Sequence, residues 1–325
     1  MVTRATTKWT AFAALVALSA LFLMPFVWMV STSLKHEARI FSGRWMPETD
    51  VRDAEDRPIV RYRGADAALL GVAEDGRYRV LVGNTEALAF QDEVEMRLRP
   101  GFHWRNYTRA FEMMRFTRNL RNTLFVCFTT VLGTVLSSSL AAYGLSRIPW
   151  RGREFVFWLV LATMMVPYQV TLIPLFAVYA KLGWIGTFKP LILPYFFGVP
   201  FYIFLLRQFF KGIPEDLSAA ARIDGCTEFG IYARIILPLA KPALATTALF
   251  MFLWQWGDFL SPLVYLQDDR QYTLAVALQQ FQSQHESAWG PLMAMSTVIT
   301  LPVIALFFFT QRTFIQGITL TGLKG

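Results

Sequence analysis

Residues 214–238 read PEDLSAAARIDGCTEFGIYARIILP, a polar, small-residue stretch set between two far more apolar segments. Pro214 stands where the first turn of a helix tolerates proline, and Glu215 and Asp216 follow where acidic groups favour the positive end of the helix dipole. Leu217, Ala220 and Ala221 give a short helix with a small, closely approachable face. Asp224-Gly225 ends it, because glycine takes the left-handed conformation that helices commonly adopt just past their C-terminus. A second amphipathic stretch, residues 229–237, returns the chain to Pro238. A helix below about 12 residues is marginal in water by itself, so this one depends on a surface, either of its own chain or of a partner.

Outward from this loop the chain is a membrane sequence. Of its 325 residues, 54% are hydrophobic and 15% aromatic, and six apolar runs, residues 9–31, 120–145, 155–180, 191–209, 243–266 and 291–309, approach the roughly 20 residues that a bilayer-crossing helix needs. The first run exceeds a signal-peptide core, and Met24, Pro25, Phe26 and Trp28 occupy the place of a small-residue cleavage site, so it reads as a retained helix. The N-terminal segment, the loop after the second run, the 207–241 stretch around the loop and the tail carry twelve Lys and Arg between them, including Lys324, whereas the loops after the third and fifth runs carry only Lys181, Lys189 and Arg270. That bias predicts both termini and the 213–238 loop on the cytoplasmic side. The net charge of +8 is then a matter of topology and calls for no nucleic-acid partner. Cys127 and Cys226, the only cysteines, fall in a span and in the loop, too far apart to pair.

Residues 32–119 have a different character. Short alternating runs at 59–63, 77–82, 88–90 and 94–98, broken by glycines, predict a small antiparallel β module at about 48–99. Trp104, Tyr107, Phe111 and Met114 then recur at helical spacing over about 103–114, which predicts an amphipathic helix on the outer membrane surface. The predicted organisation is residues 1–31 as the first span, 32–119 outside, and 120–325 as a five-helix core with the 213–238 loop and a cytoplasmic tail at 311–325. The fold class is all-α polytopic, with a β-rich insertion between the first two helices.

The 214–238 stretch resembles the cytoplasmic signature of ABC importer permeases: E-A-A, three residues, Gly, nine residues, then I-x-L-P. Ala220, Ala221, Gly225, Ile235, Leu237 and Pro238 match it in register, and Ala219 takes the place of the glutamate. TSLK at 32–35, W-x-N-Y-x-x-A-F at 104–111, VPYQVTLIPLF at 166–176, LILPYF at 191–196, FLLRQFF at 204–210, W-x-W-G-D-F at 254–259 and QRTFIQGITLTGLKG at 311–325 extend the resemblance. They are similar to the carbohydrate-uptake branch, and within it to the MalG-like second permease subunit of binding-protein-dependent sugar transporters. The resemblance implies six transmembrane helices of the type I importer kind in a bacterial inner membrane. It also implies a second homologous permease completing a heterodimer, two copies of a cytoplasmic ATPase and an extracytoplasmic sugar-binding protein. The loop would be the coupling helix that docks on the ATPase. With alanine at 219, docking would lean on shape, on Arg222 and Asp224, or on Glu215 and Asp216. A scaffold of this kind also serves other solutes, such as a glycerol phosphodiester or a polyamine.

No G-x-x-x-x-G-K-[ST] stretch exists in the chain, so ATP and magnesium belong to the partner, and this subunit is expected to be non-catalytic and to bind no cofactor. His36, His103 and His285 lack metal-site spacing. A self-sufficient secondary transporter would need ion-coupling groups in the membrane, and Asp258 is nearly alone there. Asp258, Gln255 and Gln169 inside predicted spans either line a path, where carboxylate and amides bind hydroxyls and Tyr168 or Trp254 stacks on a ring, or hold helices together. Gly133, Ser137, Ala141 and Gly144 form a small-residue stripe that reads as a packing face.

Overall fold

The computed structural model describes residues 2–41, 43, 45–73, 75–284 and 288–322. His285 and Lys324 lie outside the described residues. The chain divides into two compact units, Met1–Met114 with Gln280–Leu301, and Arg115–Gln279 with Pro302–Gly325.

In the first unit, α1 (Val2–Ser33) is an apolar helix whose side chains over residues 8–30 are almost all exposed. Next come β1 (Glu48–Asp50), β2 (Ile59–Tyr62), β3 (Ala65–Val72), β4 (Tyr78–Val82), β5 (Thr85–Ala89), β6 (Val94–Met96) and β7 (Leu98–Pro100). Five strands form an antiparallel sheet in the order β5-β4-β3-β2-β6, and β1 pairs with β7 in a separate ribbon. Val60, Tyr62, Ala67, Val80 and Ala89 form the sheet's buried face. The β2–β3 hairpin turns on Arg63-Gly64, both with positive φ, the backbone shape that matches the twist of the strands it joins.

The helix α2 (Arg105–Met114) buries Asn106, Ala110 and Met114, four residues apart. Trp104 and Phe111, of the apolar face expected at the membrane surface, are exposed. The polar Asn106 is inside because its amide donates to the carbonyls of Ser33 at 2.9 Å and Lys35 at 2.8 Å, tying α2 to the end of α1. Gly290 makes this possible, since a Cβ there would lie 2.6 Å from the Asn106 amide nitrogen. Beside this joint His103 Nδ1 stands 3.1 Å from Thr49 Oγ1 and 3.2 Å from Asp50 Oδ1, with its ring edge-on to His36. Burial pushes both imidazoles below their ordinary pKa, outweighing the nearby Asp50 carboxylate. Among the described residues no group of three His, Cys, Asp or Glu is placed to hold a metal.

The second unit opens with α3 (Phe116–Ser146), followed by α4 (Arg153–Thr163), α5 (Tyr168–Lys181), α6 (Lys189–Ile192), a 3-10 segment at Leu193–Phe197, and α7 (Pro200–Gly212). The loop supplies α8 (Glu215–Ile223), α9 (Glu228–Ile231), a π turn at Tyr232–Ile236, and α10 (Leu237–Leu239). The chain then forms α11 (Lys241–Trp256), α12 (Leu260–Tyr265), α13 (Leu274–Gln284) and α14 (Trp289–Gly322). Among the described residues four helices are long and apolar enough to cross a membrane, or six spans if each of two bent pairs counts as one.

Two predicted spans are not single helices. The run 155–180 breaks between α4 and α5 with a 96° bend, because Pro167 has no N–H to donate and disfavours helical geometry in the residue before it. The run 243–266 stops at Trp256 and resumes at Leu260, and α11 is itself bent by 78° from the stretch Glu228–Leu239. The small-residue stripe of α3 packs where expected along most of its length. A Cβ at Gly133 would lie 2.6 Å from the Phe196 ring, Ser137 donates to Tyr195 O at 3.0 Å, and Ala141 lies against the Leu145–Phe157–Ile203 cluster. Gly144 faces open space.

Candidate functional site

The loop is built in two layers. Its inner face joins the buried cluster of Tyr143, Leu206 and Phe210 through Ala221, Ile231, Tyr232 and Ile236. Its outer face carries apolar side chains among exposed charges: Leu217, Ala219 and Ala220 are exposed, Ile223 is 87% exposed and Phe229 70%. α8 ends in a complete Schellman arrangement, with Cys226 N donating to Ala221 O at 2.9 Å, Gly225 N to Arg222 O at 3.1 Å, and Gly225 at φ +81°. Thr227 then caps α9, its hydroxyl accepting from Gly230 N at 3.2 Å.

Three charged residues of the loop, Glu215, Arg222 and Glu228, are paired within the chain, while Asp216, Asp224 and Arg234 are exposed. Arg147, at the end of α3, is 3% exposed in its side chain and donates to Glu215 Oε2 at 2.5 Å. It also donates to the carbonyls of Phe210 and Ile213 at the end of α7. Arg222 bridges Glu215 Oε1 at 3.1 Å and Glu228 Oε1 at 2.7 Å. Tyr143 donates to Glu228 Oε2 at 2.7 Å, and Tyr232 and Ser139 share a hydrogen bond of 2.7 Å. Desolvation would raise the Glu215 carboxyl, but hydrogen bonds from Arg222 and Arg147 hold it below the usual carboxylate range. The hydrogen bonds it donates to Glu228 and Glu215 raise the Arg222 guanidinium. A second buried arginine, Arg207 of α7, donates to Leu145 O at 3.0 Å and to both oxygens of Glu154 at 2.6 and 2.7 Å, and lies over the Phe157 ring.

Of the residues singled out in the sequence, Ala219, Ala220, Asp216, Asp224, Gly225 and Pro238 are exposed, Leu237 is half-buried, and Ala221 is buried. Arg222 and Glu215, which the sequence offered as partner contacts, are engaged within the chain. Arg147, Tyr143 and Glu228 escape the sequence reading because their contacts join segments far apart in the chain.

The second group, expected along a path, is partly gathered. Tyr168 OH donates to Ser261 Oγ at 3.1 Å, and Asp258 Oδ1 accepts from Ser261 N at 3.2 Å. Asp258 was expected inside a helix; it stands instead in the break between α11 and α12, beyond Gly257. The second Asp258 oxygen and Oε1 of Gln255 are buried without a hydrogen-bond partner among the described residues. Gln169 is exposed, Trp254 is 69% exposed, and neither is drawn into this cluster.

Comparison with known proteins gives these features a context. The model of the family described as binding-protein-dependent transport system inner membrane component matches residues 133–320, which include the whole loop. The arabinooligosaccharides transport system permease AraQ of Halalkalibacterium halodurans is 38% identical over 204 residues, covering 63% of this chain and 73% of that protein. The trehalose/maltose transport system permease MalG of Thermococcus litoralis is 36% identical over 225 residues, covering 68% and 81%. The fold is similar to a chain in the crystal structure of a bacterial ABC transporter involved in alginate import, with a TM-score of 0.70 at 20% identity over 95% of this chain and 97% of that one. With more than half its length matched, the whole loop included, the chain belongs to the family of binding-protein-dependent transport system inner membrane components and is a transport subunit, not an enzyme.

Proposed function

We propose that this chain is one transmembrane half of an ATP-driven importer for a sugar or oligosaccharide. It is completed by a second homologous permease, two copies of a cytoplasmic ATPase and an extracytoplasmic sugar-binding protein. Six spans of the type I importer kind place both termini and residues 213–238 in the cytoplasm, and residues 32–119, with their sheet, outside. The loop docks on the ATPase. The outer face of α8 and α9 carries this reading: Leu217, Ala219, Ala220, Ile223 and Phe229 are exposed apolar residues, while Glu215, Arg222 and Glu228 are engaged within the chain. A surface of that kind is suited to a groove recognised by shape, which also accommodates alanine at 219. Tyr168, Ser261 and Asp258 contribute to the path, with Gln255, Gln169 and Trp254 flanking them.

ATP binding can shift the permease between inward-open and outward-open states only if the ATPase binds those states differently. The test is to purify the full chain from its native membrane in mild detergent and to identify its companions by mass spectrometry. A second permease and an ATPase are expected. A homogeneous single-chain assembly that still transports would overturn the reading.

A further inference from the structure

We propose that Tyr143 and Arg147 are positioning residues that fasten the loop to α3, so that displacement of α8 is delivered to α3 through a closed circuit of hydrogen bonds. The proposal rests on the docking role given to the loop above. The circuit runs from Arg147 to Glu215, through Arg222 to Glu228, and back to α3 at Tyr143. Tyr232 and Ser139 add a further tie one turn along α3. Both ends of the loop are thus held to one helix, α8 through Glu215 and α9 through Glu228.

Three features separate this arrangement from ordinary surface ion pairs. Arg147 is buried and also donates to two carbonyls at the end of α7, so its guanidinium cannot swing away without giving up those buried bonds. Arg207 repeats the device in the opposite sense, reaching from α7 to the last turn of α3 and to Glu154 at the start of α4. The covalent route from the loop to α11, by contrast, passes through a π turn and a 78° bend. Besides α7, to which α8 is joined through Ile213-Pro214, α3 is therefore the helix on which a pull on α8 acts directly.

The test uses the complex purified with its ATPase. A bimane is attached at Leu140→Cys, a 49% exposed position on α3, in a Cys226→Ser background, and its fluorescence is followed on addition of Mg-ATP. The unsubstituted circuit should give a nucleotide-dependent change. Tyr143→Phe, which removes the contact to Glu228, and Glu228→Gln, which takes the charge from the contacts to both Tyr143 and Arg222, should each reduce that change at least about tenfold, the factor carried by one such hydrogen bond. The ATPase should still co-purify and hydrolyse Mg-ATP in these variants. The double variant should fall no further than either single one, because both break the same circuit. Trp150→Phe, which removes a hydrogen bond to Gly144 O at the same end of α3 but outside the circuit, should keep the signal. An undiminished signal in both circuit variants, or no signal on α3 in the unsubstituted chain although the ATPase is present, would overturn the proposal and leave docking intact. Failure of any ATPase to accompany the unsubstituted chain would remove the docking role and the proposal with it.

Discussion

Gly225 shows how much a single position decides. At φ +81°, with nothing within 4 Å of where a Cβ would sit, a side chain there meets no neighbour and opposes only the backbone. The left-handed conformation costs a non-glycine residue about 1–2 kcal/mol, and more when Cβ is branched. Gly225→Val should leave the subunit in the membrane while uncoupling ATP hydrolysis from uptake, whereas Gly225→Asn should retain most of the function. Uptake and hydrolysis measured side by side check this, and normal uptake in the valine variant would count against the coupling role. The Asp-Gly pair announces this turn in the sequence, because only one backbone conformation closes a helix so tightly. Arg147 announces nothing. It reads as one more positive charge in a cytoplasmic loop, and its burial beneath Phe210, Ile213 and Glu215 follows from packing between segments more than 60 residues apart.

Among the elements, the ribbon of β1 and β7 has a simple geometric meaning. Asp50 and Leu98 are register partners, and Val51 N donates to Arg97 O at 2.9 Å, so the five-stranded sheet enters and leaves the chain at one point. Excising residues 51–97 and closing the gap with Asn-Gly, the pair suited to a two-residue hairpin turn, should leave the joint of Asn106, Ser33 and Lys35 in place. The shortened subunit should still co-purify with its ATPase at the unaltered yield, while affinity for the external binding protein falls. Unchanged affinity and uptake would make the sheet a dispensable addition. Strands and long helices are legible here because hydrophobic period and glycine placement fix them locally. The breaks are less so: Pro167 marks the first, but Gly257 within W-x-W-G-D-F leaves no apolar gap, so Asp258 reads as a residue inside a helix.

At the scale of the molecule, orientation follows from where the positive charge lies, and the chain carries its own reporter. Cys226 is exposed in the loop and Cys127 is buried. A membrane-impermeant maleimide should therefore label the chain in inverted vesicles and leave it unlabelled in intact cells stripped of their outer envelope; labelling from outside would reverse the topology. The bent pair α4–α5 bears on the life of the subunit in the cell. Helices of 11 and 14 residues are about 16 and 21 Å long, short of the roughly 30 Å of a bilayer's hydrocarbon. The turn between them meets the N–H groups of Met164, Met165 and Val166 from its own carbonyls, but the three side chains stand exposed. In the assembly proposed above, a copy made in excess of its companions is thus an unfinished surface open to membrane proteases, and the subunit ratio can be kept by destroying orphans instead of by matching rates of synthesis.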